Sequence, residues 1–295
     1  MNESRDTKGK KDYKDTVFRM LFREKSRLLQ LYNAMNGSDY TDSDALEIVT
    51  LENAVYMNMK NDLAFLADFH LYLYEHQSTV NPNMPLRFLQ YVAREYEKLV
   101  CNENIYRKKR LVIPAPRFVV FYNGVDYLPE RLERKLSDSY RTREADPRLE
   151  LKVQVLNINQ GNNEALKEQC GVLREYMQYV ECVRRNAERA PTEQAVALAV
   201  EECISRGILA EFLRKNKAEV IPMSIFEYDE EATLKAIRED EFEFGMEKGI
   251  AQAIGLMLEA CSELGNSKEA TAAKVKEKFG LQDEELQKYM EEFWK

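Results

Sequence analysis

The side chains with most to offer chemically lie in NDLAFLADFHLYLYEHQ: two carboxylates, Asp62 and Glu75, and the amide of Gln77. A two-residue turn at Asp68 and Phe69 would set Asp62 opposite Glu75 across an antiparallel hairpin. Opposed side chains there have Cβ atoms about 5 Å apart, so two anions repel unless a cation lies between them. Oxygen-only ligation with few protein ligands suits Mg²⁺, with Mn²⁺ and Ca²⁺ as substitutes, all of which bridge to phosphate. Gln77 projects from the same face as Glu75, where it would orient an attacking water. In the same register Lys60 falls opposite Gln77 and would supply the positive charge that a glutamine lacks. A three- or four-residue turn would shift every pair, and Phe69 is not a residue that primed turns favour. Without a metal, two acids on a hairpin are ordinary solvated surface residues.

Other chemistries find little to work with. Two histidines, His70 and His76, are too few for a His-rich metal site or a Ser-His-Asp triad. His76 alternates away from Glu75 and is expected to pack or hydrogen-bond on the other face. Five scattered cysteines indicate neither disulfides nor a zinc site. No glycine-rich phosphate loop appears, so neither ATP nor a dinucleotide is implied. The net charge of -8 argues against nucleic acid only until its distribution is considered. Residues 84–117 carry eight basic side chains against three acidic ones, and the acidic excess lies mainly after residue 225. Four of the basic residues form the run Arg107, Lys108, Lys109, Arg110, read either as a solvated patch or as a phosphate contact.

The elements that would position these groups read as α, β, β, β, α, β, β, followed by helices, which makes the chain α/β with an all-helical C-terminal region. After eleven polar residues, taken as a flexible tail, Val17, Leu21, Leu28, Leu31 and Met35 fall at helical spacing, flanked by Phe18 and Phe22, with Gly37 as the stop. Strands are expected near ALEIVTL, NDLAFLA and HLYLYEHQ. A helix from Pro82 to about residue 99 would present Leu86, Leu89, Val92, Ala93, Tyr96 and Leu99 to the hairpin. RFVVFYNG, mostly apolar, reads as a central strand, and RLELKVQVLNIN alternates as a further one. Long amphipathic runs follow at 164–187, 191–216 and 229–261. The final stretch reads as two short helices broken by Gly280, a packing or dimerisation module whose acidic second helix would repel phosphates. Residues 12–225 form the expected main domain and 226–295 the helical C-terminal region. No run is apolar enough to span a membrane and the N-terminus lacks a secretory pattern, so a cytoplasmic protein is expected.

Five pieces, KDTVFRMLF, NDLAFL, LYEHQST, NPNMPLR and FVVFYNG, occur in an order that resembles the recombination-promoting nuclease / putative transposase family, from about Lys14 to residue 225. That family belongs to the PD-(D/E)xK nuclease superfamily. The resemblance implies a restriction-endonuclease-like mixed sheet flanked by helices. It sets Asp62 at the motif's aspartate, Glu75 at its (D/E), and Gln77 where the superfamily usually has lysine and where members of this family resemble the present chain. Asn61 stands in place of the motif's proline. Asp15 corresponds to an acidic helix residue that sometimes completes the metal shell.

The resulting expectation is a Mg²⁺-dependent endonuclease acting on double-stranded DNA as a homodimer, linked to recombination or mobile elements. Arg87, with Asn81 and Asn83, either shapes the start of its helix or touches substrate. Tyr122, Asn123 and Gly124 either form a strand end and turn or line the site. Two other classes stand beside this reading: an inert nuclease fold that binds DNA or a protein, and an assembly module acting through residues 226–295.

Overall fold

The computed structural model describes residues 17–49 and 62–294, leaving aside the side chains of 230–241, 243 and 247. The polar tail expected at residues 1–11 lies outside them. In chain order the elements are α1 (Val17–Phe22), α2 (Lys25–Asn36), β1 (Glu47–Ile48), β2 (Leu63–Ala67), β3 (His70–Gln77), α3 (Met84–Leu99), β4 (Ala115–Tyr122), β5 (Arg131–Lys135) and β6 (Lys152–Asn157). The helices α4 (Glu164–Gln169), α5 (Gly171–Ala187), α6 (Thr192–Ser205), α7 (Ala210–Glu263), α8 (Lys268–Phe279) and α9 (Asp283–Phe293) follow.

The strands form one mixed sheet in the order β1-β2-β3-β4-β6-β5, parallel at β3/β4 and β4/β6 and antiparallel elsewhere. Alternation of side chains sends successive residues to opposite faces. On one face Leu71, Leu73, Val120 and Val155 meet Met84, Phe88, Tyr91 and Val92 of α3. On the other, Tyr72, Tyr74, Phe121 and Leu156 meet Phe18 and Leu21 of α1, Leu28 and Leu31 of α2, and Tyr176 of α5. Because both faces are covered, β4 runs as FVVFY with every residue buried, the pattern of a central strand.

Four expectations need correction. The buried face of α3 is Met84, Phe88, Tyr91, Val92 and Glu95, whereas Leu86 and Leu99 are exposed. The aromatic rings set that rotation, with Phe88 lying 5.2 Å from the Phe118 ring of β4. The strand β5, RLERK, was not expected, because an edge strand solvated by its charges carries little apolar alternation. The strand read at RLELKVQVLNIN begins only at Lys152, since the Glu150 carboxylate accepts hydrogen bonds from Ser137 and turns the chain there. Finally, the runs at 191–216 and 229–261 divide differently. Helix α6 stops before Gly207 and Leu209, both at positive φ, and α7 begins at Ala210 and continues to Glu263 through Pro222, with non-helical dihedrals at Asn216.

The chain divides into two compact units, one through residue 231 and one from residue 232. Within the second, Ile254 and Leu258 pack with Val275 and Met290, and the Phe293 ring approaches Gly255 so closely that a Cβ would meet it at 2.9 Å. Among the described residues no helix is long and apolar enough to cross a membrane.

Candidate active site

The hairpin of β2 and β3 turns on Asp68 (φ 45°) and Phe69 (φ 61°), both left-handed as a two-residue primed turn requires. Phenylalanine is a poor choice there, and neighbouring elements hold the turn. Tyr32 of α2 donates to Asp68 Oδ2 at 2.7 Å, His70 Nδ1 lies 2.8 Å from the Asp68 carbonyl, and the Ala115 N–H donates to the Phe69 carbonyl at 3.2 Å. The register is therefore the one expected, with Ala67 opposite His70 and Leu63 opposite Tyr74. One residue further, Asp62 lies beside Glu75.

The two acids are linked through backbone amides. The Asp62 N–H donates to Glu75 Oε1 at 3.0 Å, and the His76 N–H donates to Asp62 Oδ2 at 2.7 Å. Glu75 is only 3% exposed. Burial, and then the negative charge of Asp62, push its carboxyl well above the usual range, against the opposing pull of Arg87, the Asp62 amide and Arg19. Arg87 Nη2 lies 3.4 Å from Glu75 Oε2. Its Nη2 and Nε both donate to the Tyr91 hydroxyl, at 2.8 and 3.2 Å. Gln77 shares the Glu75 face, as the period of two demands, and its Nε2 lies 2.7 Å from Met84 Sδ in the first turn of α3.

The loop after β4 closes on the same end of the sheet. The Asn123 N–H donates to the Gln77 carbonyl at 3.0 Å. Gly124 lies so close to the chain after β3 that a Cβ would meet the Ser78 carbonyl oxygen at 1.9 Å, so no other residue fits there. Asn123 is nearly fully buried and its carbonyl accepts from Arg184 Nη2 at 2.5 Å. This is a strand end and turn abutting Gln77.

His76 behaves as expected on the opposite face. It stacks on Phe18 with centroids 5.0 Å apart, and its Nε2 lies 3.0 Å from the Tyr176 hydroxyl oxygen. Burial, and secondarily Arg184, push its pKa down to about 3, so the ring is neutral at neutral pH.

The structure thus brings together Asp62, Glu75, Gln77 and Arg87. Lys60 and Asp15 lie outside the described residues. Arg107, Lys108, Lys109 and Arg110 are not near the acid pair: they precede Ala115, which pairs with His70, whereas Glu75 pairs with Val120. Five strand residues, roughly 16 Å at about 3.3 Å each, separate those levels. Two contributors escaped sequence reasoning. Arg19 of α1 is 2% exposed and its charge acts on Glu75; a lone cation inside the apolar run VFRMLF was the available signal. Tyr91 stands four residues after Arg87, on the same side of α3.

Among the described residues no third His, Cys, Asp or Glu joins the pair in a metal-sized cluster. Two carboxylates, one carboxamide and one guanidinium are the donor types that suit a hard cation on the acid side and an anionic group on the guanidinium side. No family model, no curated protein and no solved structure matches this chain.

Proposed function

We propose that this chain is a metal-dependent endonuclease that hydrolyses phosphodiester bonds in double-stranded DNA, of the PD-(D/E)xK type and similar to the recombination-promoting nuclease / putative transposase family. The observation that carries this reading is Glu75, a carboxylate 3% exposed and set directly against a second acid. Burial and like charge both oppose its ionisation, and a divalent cation relieves both. The donor set fits Mg²⁺, Mn²⁺ or Ca²⁺, with Asp62 and Glu75 as the residues that would hold it. Bound there, Mg²⁺ would supply Lewis-acid stabilisation of the charge that builds on the phosphate.

The remaining tasks fall to side chains of the protein. Arg87 offers its guanidinium to the same space and is braced by Tyr91, so it suits a phosphate oxygen beside Glu75. Gln77, tethered at Met84, would orient water through its amide; being neutral, it aligns the nucleophile without taking its proton. Such an enzyme would work on DNA in the cytoplasm as a homodimer, in recombination or in the movement of genetic elements.

Glu75→Gln and Asp62→Asn each remove one charge with little change of shape. Both are expected to abolish Mg²⁺-dependent plasmid nicking while the protein stays folded by circular dichroism. A Ca²⁺-induced rise in melting temperature, present in the unaltered protein and lost in both variants, reports the cation without turnover. Continued cutting by either variant sinks the assignment.

A second reading, an inert nuclease fold that binds DNA or a protein, is favoured by Arg87 already standing as counter-ion to Glu75 and by Gln77 in place of a lysine. Plasmid binding without cleavage in Mg²⁺, Mn²⁺ and Ca²⁺ alike would select it.

A further inference from the structure

The basic run lies between α3 and β4, at the end of α3 remote from Arg87. Two contacts pin that stretch where it enters β4: the Tyr96 hydroxyl donates to the Pro114 carbonyl at 2.7 Å, and the Ala115 N–H donates to the Phe69 carbonyl at 3.2 Å. Arg107 to Arg110, with Tyr96, Ile105 and Ile113, line a cavity of about 420 Å³ that has no acidic residue in its wall. Arg107 has Glu103 at 3.9 Å, and among the described residues no carboxylate lies within ion-pair distance of Lys108, Lys109 or Arg110. Large apolar side chains stand in water beside these cations, with Ile105 63%, Tyr106 90% and Val112 94% exposed. Four consecutive like charges repel one another, and a polyanion is the partner that relieves them. A ring as exposed as Tyr106 has a flat apolar face to offer a sugar or an unpaired base.

We propose that this loop is a second nucleic-acid anchor, separate from the acid pair, which grips the phosphate backbone of the same DNA beyond the point of cleavage. Its occupant rests on the nuclease reading above; its chemistry does not. The level at which the loop enters β4, Ala115, lies roughly 16 Å along the sheet from that of Glu75, about five steps of a DNA strand at 3.4 Å each. The anchor therefore sets a minimum substrate length: a duplex that ends within a few base pairs of the cut cannot reach it.

The test uses the full chain and fluorescence anisotropy in Ca²⁺ with duplexes of roughly 8 and 24 base pairs, whose arms on either side of a centrally placed cut, roughly 4 and 12 base pairs, fall either side of that reach. The unaltered protein is expected to bind the longer duplex at least tenfold more tightly. The fourfold variant Arg107→Ala, Lys108→Ala, Lys109→Ala, Arg110→Ala, all at exposed positions, should lose that difference. Its slope of log affinity against log salt should fall by about 3.6, at about 0.9 for each of four phosphate contacts. Tyr106→Ala should weaken binding to a duplex with an unpaired end by roughly fivefold. An unchanged length dependence and salt slope in the fourfold variant would overturn the proposal. So would loop-dependent binding to phosphatidylserine vesicles in place of DNA, which would assign the loop to a membrane surface. If Glu75→Gln cuts DNA normally while the salt slopes differ, the nuclease reading fails and the anchor stands. The converse pattern removes the anchor alone.

Discussion

On β3 the alternation of faces sends Glu75 toward α3 and His76 toward Phe18 and Tyr176, and burial disfavours the charged form of both. The consequences for pH are opposite in sign. Glu75 has a folded pKa raised above the ordinary 4.5, so the native state holds a proton that the unfolded chain releases. Stability from this group is complete below 4.5 and declines as pH rises through the raised value. His76 has a folded pKa lowered from 6.5 to about 3, so its stabilisation is present above 6.5 and is lost as pH falls toward 3. Each contributes at most about 1.4 kcal/mol per pH unit crossed. In the shared window the two slopes cancel in part. Chemical denaturation at several pH values should show Glu75→Gln steepening the loss of stability on acidification and His76→Gln flattening it. The same direction in both variants would contradict the opposed placement. The alternation was legible from HLYLYEHQ alone, because a period of two needs no tertiary information. The calibre of the site was not: the charge of Arg19 acts on Glu75 from α1, a juxtaposition that no local spacing encodes.

Among the elements, the β2–β3 hairpin shows how a local preference is overruled. Nothing in Asp68–Phe69 favours a primed turn except the aspartate, yet both residues adopt positive φ, held by Tyr32, His70 and Ala115. The two-residue turn was one register among those the sequence left open, because both strands are apolar on both faces and a longer turn would shift every pair. The turn's support was not legible either, because two of its three contacts come from α2 and β4. Phe69 is 94% exposed and so loses almost no burial if replaced, whereas a left-handed L-residue costs roughly 1–2 kcal/mol. Phe69→Gly should therefore stabilise the protein by about 1 kcal/mol after the entropy of the added glycine is set against it. Urea unfolding would measure this, and a destabilised variant would show that the phenyl ring has a partner of its own. The same contrast explains β5 and α3. A charged edge strand leaves no hydrophobic period to read, and the rotation of an amphipathic helix depends on which rings find space, as Phe88 does against Phe118.

At the scale of the whole molecule, charge and core divide in the same way along the chain. Helix α7 contributes Phe212, Leu213 and Val220 to the core on the sheet, and Ile254 and Leu258 to a second small core with Val275 and Met290. Each unit thus has an apolar centre of its own, which the sequence suggested through the helical pattern after residue 225 but could not locate, since α7 continues across residue 231. Residues 232–295 carry 14 acidic against 9 basic side chains, an excess of five negative charges in a chain whose total is -8. If DNA is the substrate, that excess lowers the rate of encounter with a polyanion through a field that salt screens. A chain ending at residue 231 keeps every residue of the larger core, so it should fold and melt cooperatively. At low ionic strength it should bind a duplex more tightly than the full chain, and the two affinities should converge as salt shortens the Debye length toward 3 Å near 1 M. Analytical ultracentrifugation of both chains separates this field effect from assembly. If the shorter chain is monomeric, the full chain dimeric, and DNA affinity falls on truncation, residues 232–295 act through dimerisation and avidity outweighs their charge.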